Sequence, residues 1–403
     1  MADNTYTIDE LVTGPETVTL TDDGTGIDEI TVAGLYGSTV EINLHWTNIS
    51  GQATSGEGIY FTSGTIGHRL IVTGVIENAT GSNGQDFIQG NQLGNLIYGD
   101  AKTGLVGRAD TLWGAAGNDT IFGGAGADGI QGDDDDDLLF GGSGNDTVNG
   151  GAGVDTVQGG AGADALNGGA SARDTVSYAA SAAGVQIAIT FGAAATGTGG
   201  DAAGDTLSGF YDVIGSALAD RIEDTDKGTI AFGQNDNAFY GGAGRDFLLL
   251  GGGNDTGQGG AGNDHVVGEV GDDLLFGGTG HDQLRGSRGQ DSIAGGAGAD
   301  DFIFALTADS TLAVAQRDTI LDFSTAEQDR IDLTAIDAKA NVAGNQQFHF
   351  IGAAGFGGGE GALRAVVSGS DIIVYGDTDG DRHADFAILV LNMAGLAVTD
   401  FLL

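Results

Sequence analysis

The most regular feature of the chain is an apolar residue that recurs every nine positions, two residues after an aspartate. From Gly114 the sequence divides into six nine-residue frames, namely GAAGNDTIF, GGAGADGIQ, GDDDDDLLF, GGSGNDTVN, GGAGVDTVQ and GGAGADALN. From Gly241 it divides into seven more, namely GGAGRDFLL, LGGGNDTGQ, GGAGNDHVV, GEVGDDLLF, GGTGHDQLR, GSRGQDSIA and GGAGADDFI. Self-similarity at a short fixed period predicts a repeat architecture.

Position eight of the frame carries the apolar residue and predicts the buried face of short strands. It is apolar in every frame except the one that carries Gly257. Side chains alternate between the two faces of a strand, so the residue at position eight points inward while its neighbours point outward. Two nonamers then form one 18-residue coil with a turn on each side, and coils stack about 4.8 Å apart. The pattern predicts an all-β fold, a parallel β-roll in two blocks.

Position six is aspartate in all thirteen frames, and position four is glycine in all but one, where Asp135 replaces it. We expect the glycines at positions one, two and four to adopt positive φ and to turn their carbonyls inward. The candidate metal ligands are therefore the position-six aspartates Asp119, Asp128, Asp137, Asp146, Asp155, Asp164, Asp246, Asp255, Asp264, Asp273, Asp282, Asp291 and Asp300. They are joined by the position-four glycines Gly117, Gly126, Gly144, Gly153, Gly162, Gly244, Gly253, Gly262, Gly271, Gly280, Gly289 and Gly298.

The ligand type predicts calcium. Aspartates 18 residues apart would stack and repel one another without a cation between them. Ca²⁺ takes six to eight oxygen ligands in a flexible geometry, whereas Mg²⁺ demands a tight octahedron and zinc prefers His or Cys. One ion for each aspartate pair within the two blocks gives at least nine Ca²⁺. An acidic surface or a disordered Gly/Asp tract would not place aspartate in phase with an apolar residue.

Charge and composition narrow the partners. The 57 acidic and 14 basic residues give a net charge of −43, which disfavours nucleic acid and anionic membranes. No apolar run is long enough for a membrane span, so we expect no membrane insertion. Cysteine is absent, which excludes disulfides and thiolate metal sites. Metal ions are then the obvious means of stabilising the fold.

The repeat GGxGxDxUx resembles that of the RTX (repeats-in-toxin) calcium-binding proteins, also called hemolysin-type calcium-binding repeats. The C-terminal quarter resembles the C-terminal domain of the serralysin metalloproteases. Its matching segments are GGAGADDFIFALTADST (295–311), RDTILDFSTAEQDRIDLTAIDA (317–338), QQFHFIGAAGF (346–356), YGDTDGDRHADFAI (375–388) and TDFLL (399–403). The resemblance implies export to the extracellular space or the cell surface through a type I secretion ABC transporter. It also implies that Asp322 and Asp329 bind calcium and that the final residues carry the secretion signal.

The catalytic part of the serralysins is not expected here. None of the six histidines belongs to an H-E-x-x-H motif, and no G-x-S-x-G nucleophile elbow occurs. We therefore expect no catalytic residues and a protein that is not an enzyme. His265 and His281, which occupy variable positions of the repeat, are expected to be exposed bystanders.

The expected domains are an N-terminal β-rich segment, two roll blocks, a spacer and a C-terminal β domain. Their boundaries are 1–80, 81–178 for the first block, 179–213 for the spacer, 214–303 for the second block, and 304–403. Residues 1–80 are expected to form either a cap or an assembly or adhesion domain. The favoured function is a calcium-folded homopolymer, such as a surface-layer, filament or matrix subunit. The alternative is a ligand-binding protein or an enzyme with an unrecognised site in residues 1–80 or 179–213.

Overall fold

The computed structural model describes residues 79–80, 86–90, 92–100, 107–169, 173–190, 194–225, 236–339 and 342–403. In residues 5–85 outside these ranges, it describes the backbone of the strands alone. The chain forms two compact units. The first comprises Met1–Ser181 and Gly192–Asp212, and the second comprises Ala182–Phe191 and Val213–Leu403.

The described residues form short strands and three single-turn 3-10 helices. The strands of the first half are β1 (Thr5–Ile8), β2 (Thr17–Thr21), β3 (Glu29–Val32), β4 (Thr39–Asn43), β5 (Ile59–Ser63), β6 (Ile66–Thr73), β7 (Asn78–Thr80), β8 (Gln85–Gln89), β9 (Leu96–Tyr98), β10 (Thr111–Ala116), β11 (Thr120–Ala125), β12 (Gly129–Asp134), β13 (Leu138–Ser143), β14 (Thr147–Ala152), β15 (Thr156–Ala161), β16 (Ala165–Gly169), β17 (Asp174–Ser177), β18 (Gln186–Ile189), β19 (Ala195–Thr198) and β20 (Thr206–Ser208). The later strands are β21 (Phe210–Ile214), β22 (Arg221–Asp224), β23 (Ala238–Gly244), β24 (Phe247–Leu249), β25 (Thr256–Gly262), β26 (His265–Val270), β27 (Leu274–Thr279), β28 (Gln283–Arg288), β29 (Ser292–Ala297), β30 (Asp301–Ile303), β31 (Thr319–Ile320), β32 (Arg330–Asp332), β33 (His349–Phe350), β34 (Ala362–Ser368), β35 (Asp371–Asp377), β36 (Phe386–Val390) and β37 (Phe401–Leu402). The 3-10 helices are Gly200–Ala202, Val314–Gln316 and Val398–Asp400.

The first unit is a parallel roll with two ladders of strands. One ladder runs β1, β3, β7, β9, β11, β13, β15 and β17, and the other runs β4, β8, β10, β12, β14, β16 and β20. Ile121 pairs with Leu139, and Ile130 pairs with Val148, so the register advances by one 18-residue coil. This confirms the predicted parallel roll. The strands in residues 1–80 continue the same ladders, with an antiparallel β4–β5–β6 meander beside them.

The second unit repeats this arrangement. One ladder runs β18, β22, β24, β26, β28, β30, β32 and β37, and the other runs β23, β25, β27, β29, β31 and β36. Strands β34, β35 and β36 form an antiparallel meander that joins the second ladder through β36. The C-terminal aromatic side chains Phe302, Phe304, Phe323, Phe348, Phe386 and Phe401 are buried.

The core consists of the position-eight residues, which are 0–3% exposed in all twelve frames that carry an apolar side chain there. The remaining frame compensates for its glycine within the same nonamer. A side chain at Gly257 would meet Leu250 Cδ1 at 2.9 Å, and Leu250 itself is fully buried. Leu250 stands at position one, where most frames have glycine. The leucine therefore fills the space that position eight leaves open.

The glycines of the turn have two different roles. Positions two and four adopt positive φ in most frames, as at Gly142 (112°) and Gly144 (133°). Position one does not have positive φ, which corrects the expectation for that position. The backbone requirement is strict enough that non-glycine residues adopt positive φ at positions two and four as well, namely Ala115, Asp133, Asp135, Glu269 and Ser287. Position one needs glycine for a different reason, which is the close approach of oxygen atoms.

Candidate calcium sites

The position-six aspartates form columns along each roll, linked by backbone hydrogen bonds. The Asp119 N–H donates to Asp137 Oδ1 at 2.8 Å, and the Asp137 N–H donates to Asp155 Oδ1 at 2.9 Å. The same bond joins the pairs Asp110–Asp128, Asp128–Asp146, Asp146–Asp164, Asp246–Asp264, Asp255–Asp273, Asp264–Asp282, Asp273–Asp291 and Asp282–Asp300. Each bond fixes one carboxylate oxygen and leaves the other to face the turn.

The second oxygen, Oδ2, is buried and has no hydrogen-bond donor in most of these columns. The residues concerned are Asp110, Asp119, Asp128, Asp137, Asp146, Asp155, Asp164, Asp174, Asp246, Asp264, Asp273, Asp282, Asp291, Asp300 and Asp318. Their side chains are at most 3% exposed. A buried polar atom without a partner normally costs about 1–3 kcal/mol, and more when the group is charged. A row of such atoms points to a ligand.

All of these oxygens except that of Asp318 face a small cradle above the glycine that begins their turn. A Cβ placed on Gly141 would lie 2.5 Å from both Asp146 Oδ2 and the carbonyl oxygen of Gly159, one coil further on. Glycines with an aspartate Oδ2 and a next-coil carbonyl around them are Gly99, Gly114, Gly123, Gly132, Gly141, Gly150, Gly168, Gly215, Gly241, Gly259, Gly268 and Gly277. The cradle thus gathers oxygen atoms from two successive coils, and any side chain would fill it.

The electrostatics of the columns are unfavourable without a cation. Burial raises the pKa of Asp119 to about 8, and the carboxylate of Asp137 adds to the shift. Burial raises the pKa of Asp273 to about 9, with further contributions from Asp291 and Asp255. A divalent cation would reverse these shifts by stabilising the ionised form. The donor set of carboxylate and carbonyl oxygens, with no nitrogen or sulfur, fits the hard ion Ca²⁺.

Asp135 adopts the positive φ of the position-four glycine that it replaces. Asp135 has a φ of 78°, and its Oδ2 accepts the Gly117 N–H at 3.0 Å. The neighbouring Asp133 also has positive φ, and both acids help to raise the pKa of Asp119 and Asp137 after burial. This turn therefore carries the highest local negative charge of the first roll, at its exposed side.

Four aspartates from outside the regular frames also continue the columns. The Asp164 N–H donates to Asp205 Oδ1 (2.8 Å), although 41 residues separate them, and the Asp291 N–H donates to Asp318 Oδ1 (3.0 Å). The sequence signal was an aspartate with an apolar residue two positions later, in Asp205-Thr206-Leu207 and Asp318-Thr319-Ile320. The intervening insertions hid it. Asp110 and Asp174 continue the same columns.

Asp205 differs from the other column members because a hydroxyl group serves its second oxygen. The Tyr178 hydroxyl donates to Asp205 Oδ2 at 2.9 Å, and both residues are buried. Burial and the neighbouring Asp205 raise the pKa of Tyr178, so the hydroxyl stays protonated. A protein hydrogen bond here occupies the oxygen that most other turns leave without a donor.

We expect Tyr178→Phe to lower the stability of the calcium-loaded protein by about 1–3 kcal/mol, because Asp205 Oδ2 loses its donor in a buried place. The shift in urea midpoint at saturating Ca²⁺ measures this. Tyr240→Phe, which removes an exposed hydroxyl, is the matched control and should leave the midpoint unchanged. Equal midpoints for the two variants would contradict the assigned role of Tyr178.

The two acids suggested by the serralysin resemblance lie at the end of the second column. Asp329 Oδ1 accepts the Asp300 N–H at 3.0 Å, and its Oδ2 accepts the Ser324 N–H at 2.8 Å. The Asp322 carboxylate is exposed and accepts the N–H groups of Gly295 and Gly296, each at 2.9 Å. The structure therefore brings both acids to the last regular turn, close to Asp300.

Two other polar clusters lie in the second unit. Ligand oxygens of Asp377, Asp379 and Asp385 lie within 4.8 Å of one another, but the Asp377 carboxylate already accepts two backbone N–H groups of its own loop. A groove of about 790 Å³ is lined by residues that include Arg245, His265, His281 and Arg330. His281 is exposed as expected, whereas His265 is half-buried and packs edge-on against Phe247, with ring centroids 5.2 Å apart.

Comparison with protein families agrees with the sequence pattern. The family described as RTX calcium-binding nonapeptide repeat matches residues 106–139 and 140–172. The family described as Peptidase M10 serralysin C terminal matches residues 229–403. The second match is to the C-terminal region of that peptidase family, not to its catalytic domain. No curated protein matches the chain.

Two solved structures are among those similar to the chain. The AlgE6R3 subunit of the mannuronan C5-epimerase from Azotobacter vinelandii is 25% identical, with 44% of this chain and 83% of that chain covered and a TM-score of 0.25. The AlgE6R2 subunit of the same enzyme is 26% identical, with 47% and 91% covered and a TM-score of 0.21.

The repeats imply several bound Ca²⁺ ions, and the C-terminal match implies type I secretion to the extracellular space. In the part of the chain that the structure describes, no helix is long and apolar enough to cross a membrane. Family matches, in-phase aspartates and the parallel roll lead to one identification. The chain is an RTX calcium-binding repeat protein with a serralysin-type C-terminal secretion domain.

Proposed function

We propose that the protein is a non-enzymatic extracellular structural subunit that folds when Ca²⁺ binds to its turns and then assembles with other copies. The single observation that carries the proposal is the row of buried Asp Oδ2 atoms that face glycine cradles without a donor. Such rows have no use in a protein that stays calcium-free. Binding free energy then becomes folding free energy.

The proposed ligands are the position-six carboxylates and the inward carbonyls of the turn, including those of the position-four glycines. We include the carbonyls of position one in this set because a Cβ on Gly141 would lie 2.5 Å from both Gly159 O and Asp146 Oδ2. Among the described residues, a donor-free Oδ2 and a next-coil carbonyl meet at seven aspartates of the first unit and four of the second. These are Asp110, Asp119, Asp128, Asp137, Asp146, Asp155, Asp174, Asp246, Asp264, Asp273 and Asp282. This set supports the proposed minimum of nine ions.

Asp255 is the weakest member of the proposed ligand set. Its frame has Leu250 in place of the position-one glycine, and the leucine side chain turns into the core beside Gly257. The turn therefore lacks the glycine cradle that the other frames share. We propose that Asp255 orients the carboxylate of the neighbouring Asp273, because its backbone N–H donates to Asp273 Oδ1 at 2.9 Å.

A structural role is supported by how the polar side chains are used. The buried acids serve the turn columns, and among the described residues the one histidine bonded to a carboxylate is His383. Its partner Asp381 is exposed on a hairpin turn, so this pair lies in water, whereas catalytic groups act most strongly where water is excluded. The matched families are repeats and a secretion domain.

Assembly is supported by the strand edge at the start of the first unit. Within the described strands, β1 pairs with β3 alone and β2 pairs with β6 alone. A free edge offers unpaired backbone groups to a strand of another copy. A heterologous contact of this kind does not close, so it gives a filament or a lattice. The net charge of −43 opposes growth until Ca²⁺ neutralises the rolls.

Analytical ultracentrifugation with and without millimolar Ca²⁺ tests the assembly. We expect full-length protein to polymerise only with Ca²⁺, and a variant without residues 1–80 to remain monomeric while still gaining β structure with Ca²⁺. That gain is the control that the shortened rolls fold. Strictly monomeric full-length protein at high concentration and millimolar Ca²⁺ would contradict the structural role.

The groove lined by Arg245, His265, His281 and Arg330 favours a second candidate, which is binding of an extracellular ligand. It brings two arginines and two histidines together with five aspartates, so it offers a polar ligand both hydrogen-bond donors and acceptors. A monomeric calcium-loaded protein would favour this candidate over assembly.

A further inference from the structure

One complete nonamer is left out of the ladder where the second roll meets the C-terminal domain. Ser292 pairs with Leu274 on one side, 18 residues earlier, but with Thr319 on the other, 27 residues later. The excluded frame is FALTADSTL, residues 304–312. The nine-residue phase nevertheless continues through it, so that Asp309 and Asp318 both fall on position six.

The two in-phase aspartates are placed differently. Asp318 takes the column position, because its Oδ1 accepts the Asp291 N–H at 3.0 Å. Asp309 folds back from the excluded loop, where its Oδ2 accepts the Ala305 N–H at 2.8 Å and lies 3.4 Å from Arg285 Nη2. The next residue, Ser310, accepts the Asp318 N–H through its Oγ at 2.9 Å. The loop is thus fastened directly against the column.

Three carboxylates here each have one buried oxygen without a hydrogen-bond donor. They are Asp291 Oδ2, Asp318 Oδ2 and Asp309 Oδ1, and the three side chains are 0–1% exposed. The bond from the Asp318 N–H to Ser310 places the preceding residue, Asp309, beside the column. Burial raises the pKa of Asp291 and of Asp318, and the negative charge of Asp309 contributes to both shifts. Pairing with Arg285 occupies Oδ2 of Asp309 but does not explain why its Oδ1 is buried without a donor.

The turn at Asp291 also has a different neighbour in the next coil. At Gly268, one coil earlier, the carbonyl oxygen of Gly286 lies 2.8 Å from the Cβ position. The residue one coil after Gly286 is Phe304, the first residue of the excluded frame, and not a glycine. This turn therefore lies beside a loop that carries a further carboxylate, that of Asp309.

We propose that Asp291, Asp309 and Asp318 bind one Ca²⁺ ion together, with Asp309 as the third carboxylate ligand. The proposal rests on the proposed calcium-binding function of the turns. Three carboxylates offer the ion more negative charge than the two of a regular turn, which favours Ca²⁺ binding. In the described residues the ligand atoms of these three side chains do not all lie within 4.8 Å of one another, so the ion would have to draw them together.

Calcium affinity rises with the number of charged ligands and the rigidity of the site. A turn with three carboxylates, enclosed by a fastened loop, should therefore hold the ion that leaves last. Its position between the last repeats and strand β31 makes that ion the link between the second roll and the C-terminal domain.

Calcium counting by native mass spectrometry, with stopped-flow release into chelator, tests the proposal on the full-length protein. We expect Asp309→Asn to bind one ion fewer than wild type, or to release its slowest ion at least roughly tenfold faster. Asp381→Asn, which removes an exposed carboxylate, is the matched control and should keep both the count and the slow phase. Arg285→Met should keep the ion, because the ligands remain and a competing cation is gone.

Unchanged count and release kinetics in Asp309→Asn would overturn the inference, and so would loss of the same ion in Arg285→Met, which would make Asp309 a structural partner of the arginine. Both results leave calcium binding by the other turns intact. A wild-type protein that binds no Ca²⁺ would instead contradict the proposed function itself, so the two failures are distinguishable.

Discussion

Removal of Ca²⁺ is expected to unfold both rolls and to abolish most of the β-sheet signal in circular dichroism. Among the described residues, no lysine or arginine is buried with the carboxylates of the columns, so their repulsion and desolvation oppose folding at neutral pH. Glycine, with 77 residues in the chain, adds a large entropic cost to ordering the turns. Millimolar Ca²⁺ should restore the signal. The full signal in chelator would contradict this.

Low pH should restore part of the β structure without Ca²⁺, because protonation removes the charge of the buried carboxylates. This checks independently that their charge opposes folding. Burial raises the folded-state pKa of Asp128 and Asp146 to about 6, of Asp137 and Asp246 to about 7, and of Asp273 to about 9. A carboxyl with a raised folded pKa contributes stability that is present below its unfolded value, near 4, and is lost as pH rises through the folded value. In chelator, β structure should therefore increase as pH falls from 9 towards 4. The opposite slope would contradict the electrostatic explanation.

A single methyl group in a cradle is expected to have the second large effect. Gly141→Ala would place Cβ 2.5 Å from Asp146 Oδ2 and from the Gly159 carbonyl oxygen, in the space where the ion should lie. We expect the loss of at least one bound ion and roughly 2–4 kcal/mol of stability at saturating Ca²⁺. Isothermal titration calorimetry and urea denaturation measure the two quantities.

Gly129→Ala is the matched control for this substitution. Gly129 lies in the neighbouring strand β12, has no positive φ, and its nearest atom to a Cβ is Asp110 O at 3.8 Å. The change should leave the calcium count unchanged and shift stability by less than about 1 kcal/mol. If both variants kept the wild-type count, the cradle would not be an ion site.

The repeat made the roll and its aspartate columns predictable because one period fixes both features. An apolar residue at position eight and an aspartate at position six return to the same side after 18 residues, as Ile121 over Leu139 and Asp119 over Asp137 show. No long-range information is needed when every contact repeats a local one.

The irregular members could not be predicted, because insertions change the sequence separation without changing the stacking. Asp205 reaches its column after 41 residues and Asp318 after 27, although each keeps an apolar residue two positions later. The role of position one was also hidden. Glycine there is required by a close approach from the next coil, as at Gly141 and Gly159, and sequence alone does not distinguish this from a need for positive φ.

The most direct test of the central claim is an anomalous difference map from crystals grown with Ca²⁺ and measured at long wavelength. We predict peaks in the turn cradles, beside the position-one glycines such as Gly123 and Gly141, about 2.3–2.6 Å from the Oδ2 atoms of Asp128 and Asp146. Cradles without anomalous density in crystals that contain millimolar Ca²⁺ would contradict the account.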